Sequence, residues 1–304
     1  MTRTLRRPRA ILAPVLLAAA VSSCGVISNT SDAFSVDGRS FSREDLNGLV
    51  RALSEAHQVT VLNNQADGKD IRSVATVLIQ YRSGVRVLDK LGTPVTDADR
   101  KAIQAEVASQ LPTTMSKEVV DLLVDINATG RALDKVPKPT ETQLESMYST
   151  LPASTGVLCV RQLTVKTREQ AVAAVDEINS GKSFASVAAR VSTDKITRTA
   201  GGAVTGSSGE PCIAVALASV DKSLGTTVTR ELLRTGAEGT TGIIQDAKGW
   251  HVAMHRPFAE IKTALTAVFA SQPGRAMTAG VLATADITVN PVYGTWNPVT
   301  TKVE

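Results

Sequence analysis

Few side chains in this 304-residue chain have the type and spacing that acid–base or metal chemistry requires. The three histidines, His57, His251 and His255, are scattered without a close cysteine or acidic companion, so we expect no metal site. No G-x-S-x-G motif, phosphate-binding loop or dinucleotide fingerprint occurs, and no cofactor is expected. His251 lies either on the outward face of a strand or in a polar cluster, and His255 is expected at a solvated strand end. Asp194 either joins such a cluster or forms a cap or turn after a helix.

The amino terminus carries a pattern that directs export. Four arginines precede an apolar run at residues 10–21, and Val-Ser-Ser-Cys at 21–24 closes it. A basic start, a short apolar core and small residues at the end are typical of a secretory signal peptide, and the run is well short of the roughly 20 residues that cross a bilayer. The closing tetrapeptide resembles the lipobox of bacterial lipoproteins, which implies a palmitate-type lipid anchor on Cys24 at the extracytoplasmic face of the cell membrane. The alternative is an ordinary secreted protein with an incidental cysteine.

Removal of residues 1–23 changes the charge balance. The whole chain has 33 basic and 29 acidic residues, and the four arginines of the signal reduce the basic count to 29. Without net charge on the mature chain, a nucleic-acid partner loses its main support, because such proteins need a basic patch to bind phosphates; we expect none.

Two cysteines remain after Cys24, at Cys159 and Cys212. An exported protein lies outside the reducing cytosol, so these two either form one disulfide or stay as buried thiols.

Hydrophobic periodicity divides the chain into a helical part, a mixed part and a second helical part. Apolar stripes and capping residues predict a strand at 34–36 and helices starting at Ser42, Ser116 and Thr140. The other predicted helices lie at 70–91, 96–111, 167–181, 183–191, 228–234 and 259–283, and the other strands at 157–165, 243–245, 250–255 and 287–289. The prediction is therefore an α+β fold.

Six stretches in the mixed part resemble a parvulin-type peptidyl-prolyl isomerase domain, in that family's order and near its spacing. They lie at 160–167, 178–185, 191–194, 201–202, 233–236 and 249–252. The flanking regions resemble the helical chaperone lobe of SurA-like and PrsA-like foldases, and residues 290–296 resemble the closing strand of actinobacterial members. The resemblance implies a parvulin-like domain inserted between an N-terminal helical region and a C-terminal helix plus strand. The implied divisions are a signal peptide at 1–23, a tether at 24–33, a helical chaperone region at 34–150, the parvulin-like domain at 157–257 and the completing helix and strand at 258–304.

The same resemblance implies site residues. Parvulins lower a barrier of about 18–20 kcal/mol for rotation about the bond before proline, using an apolar cup and a polar cluster. Asp194 and His251 match two positions of that cluster, whereas Gln162 stands where the family usually has histidine. Glutamine can donate and accept hydrogen bonds but cannot take up a proton as imidazole does. Positions near 222–228, where the family has Met and Phe, hold lysine and threonine.

These observations leave three functional hypotheses open. The first is a membrane-tethered extracytoplasmic folding factor that binds unfolded or nascent secreted polypeptides, with weak or absent isomerase activity. The second is an active parvulin-type isomerase. The third is a non-catalytic binding or scaffolding lipoprotein.

Overall fold

A computed structural model describes residues 31–62, 65–107, 115–237 and 239–304, which fold as an α+β protein. The predicted signal peptide and Cys24 lie outside the described residues. The helices are α1 (Arg43–Glu55), α2 (Gly68–Leu91), α3 (Asp97–Val107), α4 (Lys117–Asp134), α5 (Glu141–Thr150), α6 (Arg168–Asn179), α7 (Phe184–Val191), α8 (Lys195–Thr199), α9 (Val215–Ala218), α10 (Gly225–Leu232), α11 (Phe258–Ser271) and α12 (Pro273–Thr284). The strands are β1 (Asp32–Val36), β2 (Arg39–Ser42), β3 (Val61–Leu62), β4 (Gln65–Ala66), β5 (Val157–Leu158), β6 (Val160–Val165), β7 (Ile213–Ala214), β8 (Ile244–Asp246), β9 (Gly249–His255), β10 (Ile287–Val289), β11 (Trp296–Asn297) and β12 (Lys302–Val303).

Local capping chemistry starts several of these helices. The Ser42 hydroxyl accepts a hydrogen bond from the Asp45 amide at the start of α1. Complete capping boxes begin α5, with Thr140 and Gln143, and α6, with Thr167 and Gln170. Each box satisfies backbone N–H groups that the first helical turn leaves without a partner. The starts predicted from the sequence at these positions are confirmed.

Strands from the two ends of the described chain share one antiparallel sheet, in the order β10-β1-β2. Phe34 in the central strand pairs with Val289 on one side and with Phe41 on the other. Helices α1 and α2 cover this sheet and bury one apolar cluster with it. Its fully buried members include Phe34, Leu46, Leu78 and Ile79.

Helix α12 packs against α2, α4 and a 3₁₀ turn at Pro152–Thr155. The contact is close because α12 has glycines where it meets its neighbours. A Cβ on Gly280 would collide with the carbonyl oxygen of Ser154, and a Cβ on Gly274 would collide with the carbonyl oxygen of Leu133. Helices that lie far apart in the sequence therefore pack directly together. No helix within the described ranges is long and apolar enough to cross a membrane.

The single helix predicted at 259–283 is wrong in one respect, because α11 ends at Ser271 and α12 begins at Pro273. Proline has no N–H to donate to the preceding turn, and its ring clashes with that turn, so it starts a new helix.

The mixed part contains a second antiparallel sheet in the order β6-β9-β8. One face of central strand β9 packs with α6 and α7 through Val252, and the other packs with α10 through Ala253. Both faces of β9 are therefore covered. The region joins the helical parts through Tyr148, whose hydroxyl donates to the Arg256 carbonyl at 2.7 Å. Glu260 on α11 adds ion pairs to Arg161 and Arg256.

Candidate functional site

Gln162 and His251 lie on adjacent strands, β6 and β9, and their side chains meet. Gln162 Nε2 is 3.1 Å from His251 Nδ1, and Thr164 Oγ1 is also 3.1 Å from that nitrogen. The pairing of the strands explains the contact, because Thr164 stands directly opposite His251 and Gln162 lies two residues earlier on the same face. Gln162 is 1% exposed and His251 is 0% exposed, so the interpretation that places His251 on an outward face is wrong.

Asp246 completes this network, and the sequence analysis did not identify it. Its Oδ1 atom lies 2.6 Å from His251 Nε2. With the proton on Nε2 donated to this carboxylate, Nδ1 accepts from the Thr164 hydroxyl and the Gln162 amide. Burial acts to raise the pKa of Asp246, but hydrogen bonds from His251 and the Lys248 amide outweigh it and lower that pKa.

Gln162 is held by the loop before α10. Its Nε2 atom also donates to the Ser223 carbonyl at 2.8 Å, so both amide protons have acceptors. The Asp221 carboxylate fixes the loop by accepting from the Ser223 and Leu224 amides. Gln162 Oε1 is buried without a hydrogen-bond partner among the described residues. The side chain thus ties the loop to the sheet and, as a carboxamide, does not ionise at neutral pH.

Asp194 has a different set of contacts. It is the N-cap of α8, where one carboxylate oxygen accepts from the Ile196 amide and the other from the Thr197 hydroxyl. Across the described ranges, no hydrogen bond joins Asp194 to Gln162 or His251. The contacts of Asp194 support the capping interpretation. Its neighbour Thr193 links this segment to β6, because the Thr193 amide donates to the Thr164 carbonyl at 2.7 Å.

The predicted polar character of 222–228 describes only part of that segment. Leu224 and Val228 are completely buried and belong to the core between α10 and the sheet. The Ser223 carbonyl of the same segment contacts Gln162, and Thr164 is only 5% exposed. Gln162, Thr164 and His251 are therefore buried, and Asp246 at the edge of the network keeps a side-chain exposure of 23%.

His255 is buried rather than solvated, so the expectation of a solvated strand end is wrong. Its Nε2 atom lies 3.0 Å from the Leu232 carbonyl oxygen. Burial lowers the pKa of His255 to about 4. The imidazole is therefore neutral at pH 7 and serves as a core residue.

Cys159 and Cys212 form a disulfide that links the start of β6 to the approach of β7. Both cysteines are buried in a cluster with Tyr148 and Phe269. Gly202 approaches β6 closely: its φ is +82°, and a Cβ there would clash with the backbone carbonyl oxygen of Gln162. The absence of a side chain lets this segment run against β6, where the Gly202 carbonyl accepts a hydrogen bond from the backbone N–H of Gln162 at 2.7 Å.

Two apolar grooves open on the helical parts. The first, here called the α1–α4 groove, has a volume of about 380 Å³ and is lined by Phe41, Glu44, Asp45, Gly48, Leu49, Ala52, Ser116, Glu118, Val119 and Leu122. The second, here called the methionine groove, has about 320 Å³ and is lined by Leu91, Pro137, Lys138, Pro139, Gln143, Ser146, Met147 and Met277. Nowhere in the described ranges do three His, Cys, Asp or Glu side chains gather as a metal site.

Comparison with known proteins gives structural similarity without sequence support. No family model matches the chain, and no curated protein matches it. Among solved structures, it is similar to PrsA from Bacillus subtilis, with 16% identity, 81% of this chain and 88% of that chain covered, and a TM-score of 0.29. Foldase PrsA from Streptococcus pneumoniae gives 13% identity, coverage of 83% and 90%, and a TM-score of 0.28. A structure of SurA-like chaperones from Campylobacter jejuni gives 11%, 86% and 99%, and 0.26. At these identities and TM-scores the similarity carries no argument about function.

Proposed function

We propose that this protein is an extracytoplasmic folding factor, tethered to the cell membrane through lipid on Cys24, that binds unfolded or nascent secreted polypeptides. In this proposal residues 157–257 form a parvulin-like domain inserted between 34–150 and 258–304, with weak or absent isomerase activity. The observation that carries it is a contrast: Gln162 and His251, two of the three predicted isomerase positions, are buried, whereas apolar grooves on the helical parts are open.

The grooves are suited to segments of varied sequence. The methionine groove is lined by Met147 and Met277, whose unbranched and polarizable side chains adapt to differently shaped apolar partners. Leu91 at its edge is 41% exposed. Unfolded chains offer the apolar side chains that such a surface buries.

The enclosed network argues against efficient isomerisation. Rotation about the prolyl bond is accelerated by groups that touch the twisted amide. Here the His251 imidazole is occupied on both nitrogens, by Asp246 and by the Gln162 and Thr164 pair. A substrate must displace these contacts before it can reach the ring.

Aggregation of a chemically denatured client, followed by light scattering with the purified protein present, tests the chaperone activity. We expect suppression at equimolar protein and weaker suppression by Leu91→Asp. Val292→Asp is the matched control, because Val292 is 72% exposed and lies outside both grooves. The absence of suppression at severalfold molar excess would refute the proposal.

An active isomerase is the second candidate, favoured by the retained contact of His251 with two polar side chains 3.1 Å away. It predicts accelerated isomerisation of a proline tetrapeptide that His251→Ala abolishes. A rate equal to the uncatalysed one dismisses this candidate.

Mass spectrometry of the exported protein tests lipidation at Cys24.

A further inference from the structure

The α1–α4 groove combines an apolar floor with acidic residues at its edge. The floor consists of half-buried Phe41, Leu49 and Leu122 with buried Val119. Its volume of about 380 Å³ lies in the range of roughly 300–1,000 Å³ that holds small ligands, which is sufficient for a few side chains of a peptide.

Three carboxylates lie along the lining: Glu44 and Asp45 in the first turn of α1, and Glu118 in the first turn of α4. Glu118 is engaged with its own backbone N–H and with the Ser116 hydroxyl, which lower its pKa. Glu44 and Asp45 have no ion pair within the described residues. They are therefore available to a cation from outside.

Two basic side chains beside the groove have other partners, whereas a third contacts the ring of Phe41 in its floor. Lys117 pairs with Asp121, and Arg43 has an interaction of its own. Arg82 reaches over the Phe41 ring from α2, with its guanidinium carbon 5.6 Å from the ring centroid, and it does not line the groove. None of the lining residues is a lysine or an arginine.

Acidic residues at the start of a helix also stabilise that helix through its dipole. Each helix N-terminus, however, contributes only about half a positive charge, so two N-termini offset roughly one of the three carboxylates. The lining remains negative beside an apolar floor, and this combination favours a ligand that is apolar and cationic at neighbouring positions.

We propose that the α1–α4 groove selects client segments in which a large apolar side chain is flanked by lysine or arginine. This inference rests on the proposed function and specifies the class of polypeptide that it binds. The apolar side chain occupies the floor between Leu49 and Leu122, and the flanking cation pairs with Glu44 or Asp45.

Fluorescence polarisation with two labelled peptides tests this selection. Both contain leucine and phenylalanine with serine spacers, and they differ only in carrying lysine or glutamate beside the apolar residues. We expect the purified protein to prefer the lysine peptide, and Glu44→Lys or Asp45→Lys to weaken its binding about threefold to tenfold, the range for one or two exposed ion pairs. The preference should disappear near 1 M salt, where the screening length is about 3 Å.

Glu55→Lys is the matched control, because Glu55 is exposed at the far end of the same helix and does not line the groove. It makes the same charge change and should leave the preference intact. Glu44→Gln removes the charge without adding repulsion and should give an intermediate affinity, which keeps the test valid if a lysine variant fails to fold.

Equal affinities for the two peptides, or unchanged binding in the Glu44 and Asp45 variants, would overturn this inference even with client aggregation still suppressed. Failure of both peptides to bind, together with no suppression of aggregation, would overturn the proposed function and this inference with it.

Discussion

The Cys159–Cys212 disulfide should be a major source of stability. It joins positions 53 residues apart. In the chain-entropy treatment, closing a loop of that length removes enough freedom from the unfolded chain to stabilise the fold by about 4 kcal/mol at 25 °C. Native proteins are typically stable by about 5–15 kcal/mol, so we expect the double variant Cys159→Ala/Cys212→Ala to lose a large fraction of its free energy of unfolding.

Urea unfolding at pH 7, followed by circular dichroism and by the fluorescence of Trp250 and Trp296, measures this loss. With a slope of about 2–3 kcal/mol per molar urea, the midpoint should fall by roughly 1.5–2 M. The parent protein treated with dithiothreitol is the matched control and should unfold at the midpoint of the double variant. A loss below about 1 kcal/mol with an unchanged slope would refute the loop-closure reasoning.

Three further substitutions test other features. Gly280→Ala should destabilise the protein by about 3 kcal/mol or more, because the added Cβ overlaps a backbone carbonyl oxygen. Gly130→Ala, where a Cβ on α4 meets open space, should instead stabilise it by about 0.8–1 kcal/mol, because alanine favours a helix more than glycine does. Equal changes in the free energy of unfolding for the two variants, measured in urea, would contradict this account. His255 has a folded pKa of about 4, below its unfolded value, so its contribution to stability is complete above pH 6.5 and is lost as the pH falls towards 4. Between pH 6.5 and pH 4 the free energy of unfolding of the parent protein should fall by about 3 kcal/mol more than that of His255→Leu. Parallel plots of unfolding free energy against pH for the two proteins would refute the assignment of His255 as a neutral core residue. Asp246→Asn should cost about 1–3 kcal/mol, because it weakens the charge-assisted hydrogen bond to buried His251, and unchanged stability would show that this bond contributes little.

Features of the fold that depend on local chemistry were predictable from the sequence. The capping boxes at Thr140 and Thr167 involve residues three apart, and the left-handed Gly92 ends α2 directly after the predicted last residue, 91. The break at Pro273 had a local signal as well. The apolar pattern continues across it, which led to the prediction of one helix where the structure has two.

Features that depend on strand pairing were less accessible. The alternation of polar and apolar residues along β9 suggests that one face of the strand is exposed to solvent. In the structure, α10 covers the face that carries His251 and His255, and α6 and α7 cover the other. Asp246 reaches His251 because the β8–β9 hairpin folds back at Gly249. An aspartate three residues before that glycine signals a turn, and only the register reveals that its carboxylate meets an imidazole.

The pairing of β1 with β10 has a consequence for how the protein matures. Asn290 Nδ2 donates to the Asp32 carbonyl, 258 residues away, next to the pair formed by Phe34 and Val289. A ribosome releases β1 and β2 long before β10 exists, and such distant pairing delays folding because a long loop must close first. In a chain that stops before Ile287, one edge of β1 has unpaired backbone N–H and C=O groups. Such an exposed strand edge can pair with another chain and lead to aggregation. The edge of β1 that faces β10 thus stays unprotected until residues 287–289 have been made.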